Sequence, residues 1–353
     1  MTDQLLRNAA FAKLGTFLRE FCEYSNGRTE TLEKTNPWFS KLEEGIVSAG
    51  RENGWYTKEN ILFALQVWGN LLTETSLTHW LSSYDLRKNS KKTVALIMAG
   101  NIPLVGFHDF LSVLLTGNKA LIKLSDSDRV LLPIICDFLI ESASFMGEDI
   151  EFVDGKLKDF DAVIATGSNN TARYFEYYFG SKPHIIRKNR NSVAVLTGDE
   201  SEAQLHALGN DIFQYYGLGC RSISKLFVPE GYIFDAFFEA IDTFKGIVEH
   251  RKYANNYDYN KAVYLMSDFK ILDNGFLILK EDAGYSSPIA SLNYGSYSMA
   301  DELRAQFISD KDELQCIVSC GFIENEVNFG ETQTPNIDDY ADGIDTVDFL
   351  LRT

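Results

Sequence analysis

The chain has 353 residues, 45% of them apolar, with a formal net charge of -17. That length predicts an ordered globular protein with room for two domains, and an acidic balance spread along the chain argues against nonspecific nucleic-acid binding, so no nucleic-acid partner is assigned. No stretch approaches the roughly 20 apolar residues of a membrane span, no signal-peptide pattern is seen, and five scattered cysteines (Cys22, Cys136, Cys220, Cys316 and Cys320) fit a reducing cytoplasm.

The first ninety residues read as helical. Leu6, Ala10, Leu14, Phe17, Leu18 and Phe21 recur every three or four positions, and a second run behind a Thr57 N-cap places Ile61, Leu62, Leu65, Trp68 and Leu72 on one side. Asn36-Pro37 and Asn53-Gly54 punctuate these runs. Nothing there suggests chemistry, and His79 beside Trp80 is read as a packing residue. The region is a cover or interface element.

From Thr93 short apolar runs alternate with helical ones. TVALIMAG, ALIKLS and DAVIATGS are predicted strands; Ile102 to Leu115, Val130 to Ala143 and NTARYFEYYF are predicted helices. This alternation implies a parallel, helix-covered sheet whose ligand sits beyond the strand carboxyl ends. Three polar loops fall there: Gly100-Asn101, Lys123 to Asp126, and Thr166 to Ser168. A G-x-G-x-x-G fingerprint is missing, so a nucleotide would be held by a variant scheme. Taken singly, Asn101 also reads as a helix cap and Lys123 as a surface charge.

Beyond Ser192 come a strand (VAVLT), an acidic helix from Glu200 to Tyr215, and the stretch FQYYGLGCRSISKLFVP. Here Gly217 and Gly219 loosen a turn that presents the Cys220 thiol, ahead of a strand including Leu226 to Val228. Arg221 and the run Arg187-Lys188-Asn189-Arg190, if folded nearby, would favour the thiolate. The alternative is a buried cysteine acting as a small hydrophobe. Phe234 to Val248 reads as an amphipathic helix, and later strands come from LILKEDAGYSSPIASLNY and the segment ending Cys316-Ile317-Val318. Cys316 and Cys320 are read as core, without companions for a zinc set. The aspartates of the closing TQTPNIDDYADGIDTVDFLLRT are read as a solvated face or cap sequence, and no metal site is assigned.

Four segments in register, GNIPLVGFHDFLSVLLTGNKALIKLSDSD, ATGSNNTARYF, GLGCRS and DYADGIDTVDFL, resemble the aldehyde dehydrogenase superfamily. Within it the chain is similar to the LuxC-type long-chain acyl-CoA reductases of bacterial bioluminescence. The resemblance covers most of the chain after residue 93. It implies an α/β, aldehyde dehydrogenase-like fold: a parallel-sheet cofactor domain, an α/β catalytic domain and a helical N-terminal segment. It further implies Cys220 as nucleophile, an oxyanion-hole amide from Asn101, adenine-ribose contacts from Lys123 with Ser125 and Asp126 beside it, and pyrophosphate contacts from Gly167 and Ser168. A helix starting after Gly167-Ser168 suits pyrophosphate binding through its free N–H groups.

Two departures follow from the same comparison. Where oxidising members carry a glutamate that activates water, this chain reads Arg187, expected near the CoA entry as a phosphate attractor. The chain is also shorter than typical members, and the extended oligomerisation hairpin is expected to be missing, which leaves a homo-oligomer open. A second glutamate of the superfamily, on the nicotinamide ribose, falls near Glu281 or Asp282. Phe175, Tyr177, Phe179, Tyr215 and Tyr216 are candidates for an acyl tunnel or, as ordinary packing, for the core.

The expected domains are a helical segment at 1–90 packing on a nucleotide-binding domain at 91–190, a catalytic domain at 191–322 and a tail at 323–353. The expected reaction is NAD(P)H-dependent reduction of a long-chain acyl-CoA to the aldehyde through an acyl-cysteine. NADPH is the expected cofactor on resemblance, with NADH retained because Asp126 would repel a 2′-phosphate that it faced. The alternatives are an acyl phosphate or acyl-carrier-protein thioester as donor, or a catalytically silent nucleotide-binding protein of the same fold.

Overall fold

A computed structural model of the chain describes residues 3–27 and 36–353. It divides into two compact units, 1–188 with 336–353, and 189–335.

The first unit opens with four helices: α1 (Asp3–Ser25), α2 (Pro37–Glu52), α3 (Lys58–Leu71) and α4 (Glu74–Leu81). Each start from α2 on has a side-chain cap: Asn36 accepts from the Trp38 N–H, Thr57 from Asn60 and Thr73 from Ser76. These helices share one core with those covering the sheet. Phe17 stacks on Phe138 at 4.3 Å and Phe11 meets Phe110 edge-on at 6.3 Å. At Gly15 a Cβ would sit 2.0 Å from the Leu72 carbonyl oxygen, so only glycine lets α1 and the end of α3 approach this closely. Buried Arg7 adds an ion pair to Asp149 at 2.6 Å. His79 is exposed and only Trp80 packs, which corrects the reading of that histidine.

The sheet of this unit contains β1 (Thr93–Ile97), β2 (Lys119–Lys123), β3 (Ile150–Phe152), β4 (Ala162–Thr166) and β5 (His184–Arg187). Its order is β3-β2-β1-β4-β5, all parallel. Helices α5 (Phe107–Leu115), α6 (Leu131–Ser142) and α7 (Asn169–Phe179) form the crossovers. The central strands are buried along their length because both faces are covered, which explains their continuous apolar runs.

The second unit contains β6 (Asn191–Val195), α8 (Glu202–Phe213), β7 (Ile223–Pro229), α9 (Asp235–Ile241), α10 (Arg251–Met266), β8 (Ile271–Asp273), β9 (Ile278–Glu281), β10 (Ser291–Tyr297), α11 (Ala300–Ser309) and β11 (Leu314–Val318). Its sheet runs β11-β6-β7-β10-β9-β8, parallel except for β8. Helix α8 starts at Glu202 rather than Glu200 because Ser201 and Gln204 form a capping box. The helix expected over Phe234 to Val248 is α9 followed by a 3-10 turn over Asp242–Glu249.

The stretch expected as one tail is divided: 323–335 stays with the second unit and 336–353 returns to the first. There α12 (Thr346–Arg352) buries Val347 and Leu350 behind an Asp345 cap. Trp80 donates to the Tyr340 hydroxyl at 2.7 Å, and Tyr84 donates to Asp345 at 2.7 Å.

Candidate active site

In the first unit, a cavity of about 1420 Å³ lies at the carboxyl ends of β1, β2 and β4. Lys123, Ser125, Asp126 and Gly167 all line it, so four of the residues expected at a cofactor share one space. Lys123 Nζ donates to the Gly155 carbonyl at 3.2 Å. Asp126 is ion-paired with Arg129, which also reaches Asp154 at 3.4 Å. Arg129, Lys156 and Lys182 line the same cavity, giving with Lys123 four cations against Asp126 and Asp154. Ser168 is exposed and is the N-cap of α7, accepting from the Thr171 N–H at 3.3 Å. A Cβ on Gly167 would come within 3.0 Å of the Phe175 ring and 3.1 Å of Thr171, so glycine keeps the strand-to-helix turn tight.

Asn101 is exposed in the bend after β1. The N-cap position of α5 is Gly106, which removes helix capping as the purpose of Asn101. Its neighbours are fastened from below. The Gly100 carbonyl accepts from Asn53 at 3.2 Å and Ser127 at 3.0 Å, and the Ile102 carbonyl accepts from Tyr56 at 2.9 Å. Beneath the bend, burial pushes the Asp128 carboxyl up to about 6 despite the neighbouring Tyr56 hydroxyl and a hydrogen bond from the Leu104 N–H. Asn53, Tyr56 and Asp128 carried no signal in the sequence beyond Asn53 in a turn, because their role depends on distant contacts.

In the second unit, exposed Cys220 lies in a turn closed by the Ser222 N–H to the Gly219 carbonyl at 3.0 Å. The backbone ahead of it is left-handed at Tyr215, Tyr216 and Gly217, with φ of 55°, 59° and 75°. Gly217 takes a positive φ as expected of it, and the structure adds two tyrosines in the same region, a costly arrangement that packing must hold. Tyr215 is buried, and the Tyr216 ring stacks on His250 at 4.2 Å.

The turn is tied down along its length. Buried Ser192 donates to the Cys220 carbonyl at 2.8 Å and accepts from the Cys316 N–H at 3.1 Å. Arg221 reaches the Thr332 carbonyl at 3.4 Å and the Cys316 sulfur at 3.6 Å, and Gln333 donates to the Ser222 hydroxyl at 3.3 Å. Cys316 is core as expected, whereas Cys320 is exposed. Burial pushes the Cys22 thiol up to about 12 and raises Cys136 well above its ordinary value, so neither is a ready nucleophile.

Arg187 is corrected by the structure. It is buried, bound to both carboxylate oxygens of Asp109 at 2.7 and 3.2 Å, to the Ala341 carbonyl at 2.7 Å and to Thr346 at 2.9 Å. This guanidinium is committed to the interior of the first unit, not to a CoA entry. Arg190 donates to the Lys311 and Leu314 carbonyls. Among the expected tunnel aromatics, Phe175 and Phe179 line the 1420 Å³ cavity, Tyr177 is 83% exposed, and Tyr215 and Tyr216 belong to the strained link before Cys220.

At the end of β9, Glu281 is exposed while Asp282 pairs with Lys280 at 2.6 Å, and that pairing holds its carboxyl below the ordinary range. The five successive carbonyls of 282–286 accept from Lys225, Ser224 and Asn293 side chains at 2.7–3.0 Å. Among the described residues no helix is long and apolar enough to cross a membrane, and no group of three metal-ligating side chains comes together.

The family model described as acyl-CoA reductase (LuxC) matches residues 71–240. A long-chain acyl-protein thioester reductase of Aliivibrio fischeri is 24% identical over 305 residues, covering 78% of this chain and 60% of the relative. The chain thus spans about 60% of the length of that curated relative. Among solved structures, aldehyde dehydrogenase 21 of Physcomitrella patens, in complex with succinate, matches with a TM-score of 0.67 at 13% identity, covering 99% of this chain and 84% of that one. A Pseudomonas syringae aldehyde dehydrogenase C mutant complexed with NAD+ and octanal matches at 0.62 and 13% identity, covering 90% and 72%. At such identities the likeness establishes the fold.

Proposed function

We propose, for a chain whose residues 71–240 match the acyl-CoA reductase (LuxC) family model and whose fold is that of the aldehyde dehydrogenases, that it reduces a long-chain acyl-CoA thioester to the aldehyde through an acyl-Cys220 intermediate. The observation that carries the reading is the Cys220 turn: an exposed thiol held by backbone and side-chain hydrogen bonds behind a strained link. Strain of this kind persists where the surroundings over-determine it, as at reacting groups.

In this reading the Cys220 thiolate attacks the thioester carbonyl, and the tetrahedral anion collapses by expelling the CoA thiolate. The Asn101 amide and the Cys220 N–H donate to the oxyanion, where donors about 2.7–3.1 Å away are needed. When bound, a reduced nicotinamide would supply the hydride for reduction of the acyl-cysteine to a hemithioacetal anion on Cys220. Collapse of that anion releases the aldehyde and regenerates the thiolate, while a proton from solvent neutralises CoA. The first unit's cavity would suit such a dinucleotide: Gly167 leaves room a Cβ would fill, α7 begins beside it, and Lys123, Arg129, Lys156 and Lys182 line it, available to hold phosphates. NADPH is the proposed reductant, because Arg129 neutralises the Asp126 carboxylate that argued for NADH.

The name of the Aliivibrio relative supports a second donor, an acyl group carried on a protein thiol. Incubation with palmitoyl-CoA and, separately, with a palmitoylated acyl-carrier protein, followed by intact mass spectrometry, tests both. A palmitoyl adduct lost in Cys220→Ala and discharged to aldehyde by NADPH is expected. An adduct from the carrier protein alone selects the second donor, and cofactor binding with no adduct from either source selects the silent protein.

A further inference from the structure

Asp211, near the end of α8, is fully buried, and the partners of its carboxylate are donors from one short segment across the unit. Oδ2 accepts from the Gly330 N–H at 2.6 Å; Oδ1 accepts from the Thr332 N–H at 3.0 Å and the Thr332 hydroxyl at 2.8 Å. Thr332 is itself fully buried. Gly330 is left-handed at φ +87°, and a Cβ there would come within 3.0 Å of the Ala207 side chain on α8, so the segment presses against the helix that carries Asp211. Burial raises the Asp211 carboxyl above its ordinary value in spite of these donors. Keeping a carboxylate at such a place is unfavourable unless its hydrogen bonds hold something that matters.

What they hold is the backbone that grips the candidate nucleophile. The Thr332 carbonyl takes the Arg221 guanidinium at 3.4 Å, and the neighbouring Gln333 donates to the buried Ser222 hydroxyl at 3.3 Å. Residues 330–333 therefore form a strap with one end on α8 and the other on the two residues that follow Cys220. Asp211 also stands four residues ahead of Tyr215, where the left-handed link to Cys220 begins. One side chain anchors the nucleophile turn from both directions along the chain.

We propose that Asp211 is a positioning residue for Cys220, acting through the Gly330–Gln333 strap. The proposal rests on the reading of Cys220 as the nucleophile, and it assigns Asp211 no contact with substrate. Its effect is on the alignment of the turn, where misplacement on the order of 1 Å costs up to about a hundredfold in rate.

The test compares wild type with Asp211→Asn, which puts an amide N–H against the strap donors, and with Thr332→Val and Thr332→Ser. Valine removes the hydroxyl contact while keeping the shape; serine restores it. Hydrogen exchange by mass spectrometry and steady-state turnover on palmitoyl-CoA with NADPH are measured on folded protein. The expected result is faster exchange at 330–334 and also at 218–224, with kcat reduced on the order of ten- to a hundredfold and KM for palmitoyl-CoA nearly unchanged, in Asp211→Asn and more weakly in Thr332→Val. Thr332→Ser should match wild type. Should Asp211→Asn fail to fold, the valine and serine pair decides alone. Exchange confined to 330–334, or unchanged kcat beside an active wild type, overturns the proposal. A wild type without turnover counts against the reaction, and the exchange at 218–224 then decides the anchoring on its own.

Discussion

Arg187 and Asp109 meet in a buried two-pronged ion pair, Nη2 to Oδ1 at 2.7 Å and Nε to Oδ2 at 3.2 Å. Burial alone would push the Asp109 carboxyl up, but the Arg187 charge and hydrogen bonds outweigh it and hold the carboxyl below its ordinary value of 3.8. The pair's stabilisation is fully present above pH 3.8 and is lost as pH falls through the lower folded value. Arg187→Glu would set a third carboxylate beside Asp109 and Asp342, whose Oδ2 lies 3.8 Å from the guanidinium. Breaking a buried pair costs about 3–5 kcal/mol. The expected outcome is a lower Tm without new hydrolytic activity; carboxylic-acid release by a folded Arg187→Glu protein would contradict it.

The same residue bears on the reverse reaction. In the proposed function, where Arg187 takes the place of a water-activating glutamate, the protein given aldehyde and oxidised cofactor should form acyl-Cys220 and stall until CoA is added. General-base assistance is worth about 10² to 10⁴ in rate, so hydrolysis should persist only as a slow leak. Product analysis with and without CoA checks this, and rapid CoA-independent acid formation would rule it out.

Asn101 is exposed in a fastened bend and does not cap α5. On the proposed mechanism Asn101→Ala should lower kcat by about a hundredfold or more, because there its amide acts on charge that develops only in the transition state. KM for the acyl donor should change little. Unchanged turnover would remove Asn101 from the oxyanion hole.

Asp128, under that bend, titrates in the opposite sense to Asp109. Its folded value of about 6 stands above the ordinary 3.8, so between these values the folded state keeps a proton that the unfolded state releases. Its contribution is greatest below pH 3.8, declines as pH rises to about 6, and stays low above that. Asp128→Asn should therefore gain stability relative to wild type on going from pH 4 to pH 7 in urea unfolding. A difference that is constant across this range would show that the carboxyl is not shifted.

Arg129 is paired with Asp126 on the wall of the large cavity. On the proposal that NADPH is the reductant and its 2′-phosphate lies beside Arg129, Arg129→Gln leaves Asp126 uncompensated and removes a charge-assisted partner, so KM for NADPH should rise about tenfold or more while KM for NADH changes less. Equal effects on both cofactors would place the 2′-phosphate away from Arg129.

The sequence by itself determined the alternation of β1, α5, β2, α6, β4, α7, β6, α8 and β7, because alternating apolar runs and glycine endings are local signals that follow from side-chain period and backbone freedom; the short β3 and β5 and the helices α10 to α12 were not read from it. It likewise singled out Lys123, Ser125, Asp126 and Gly167, since residues at the carboxyl ends of parallel strands converge on one space whatever the loops do. Tertiary structure decided the rest, because the partners are far apart along the chain. Arg187 read as a free cation until Asp109, 78 residues away, was folded against it. The strain at Tyr215 and Tyr216, residues that favour no left-handed turn, exists only because packing in the second unit enforces it. Asp211 was one residue within a helix read only as acidic; strap donors about 120 positions later turned it into a buried anchor.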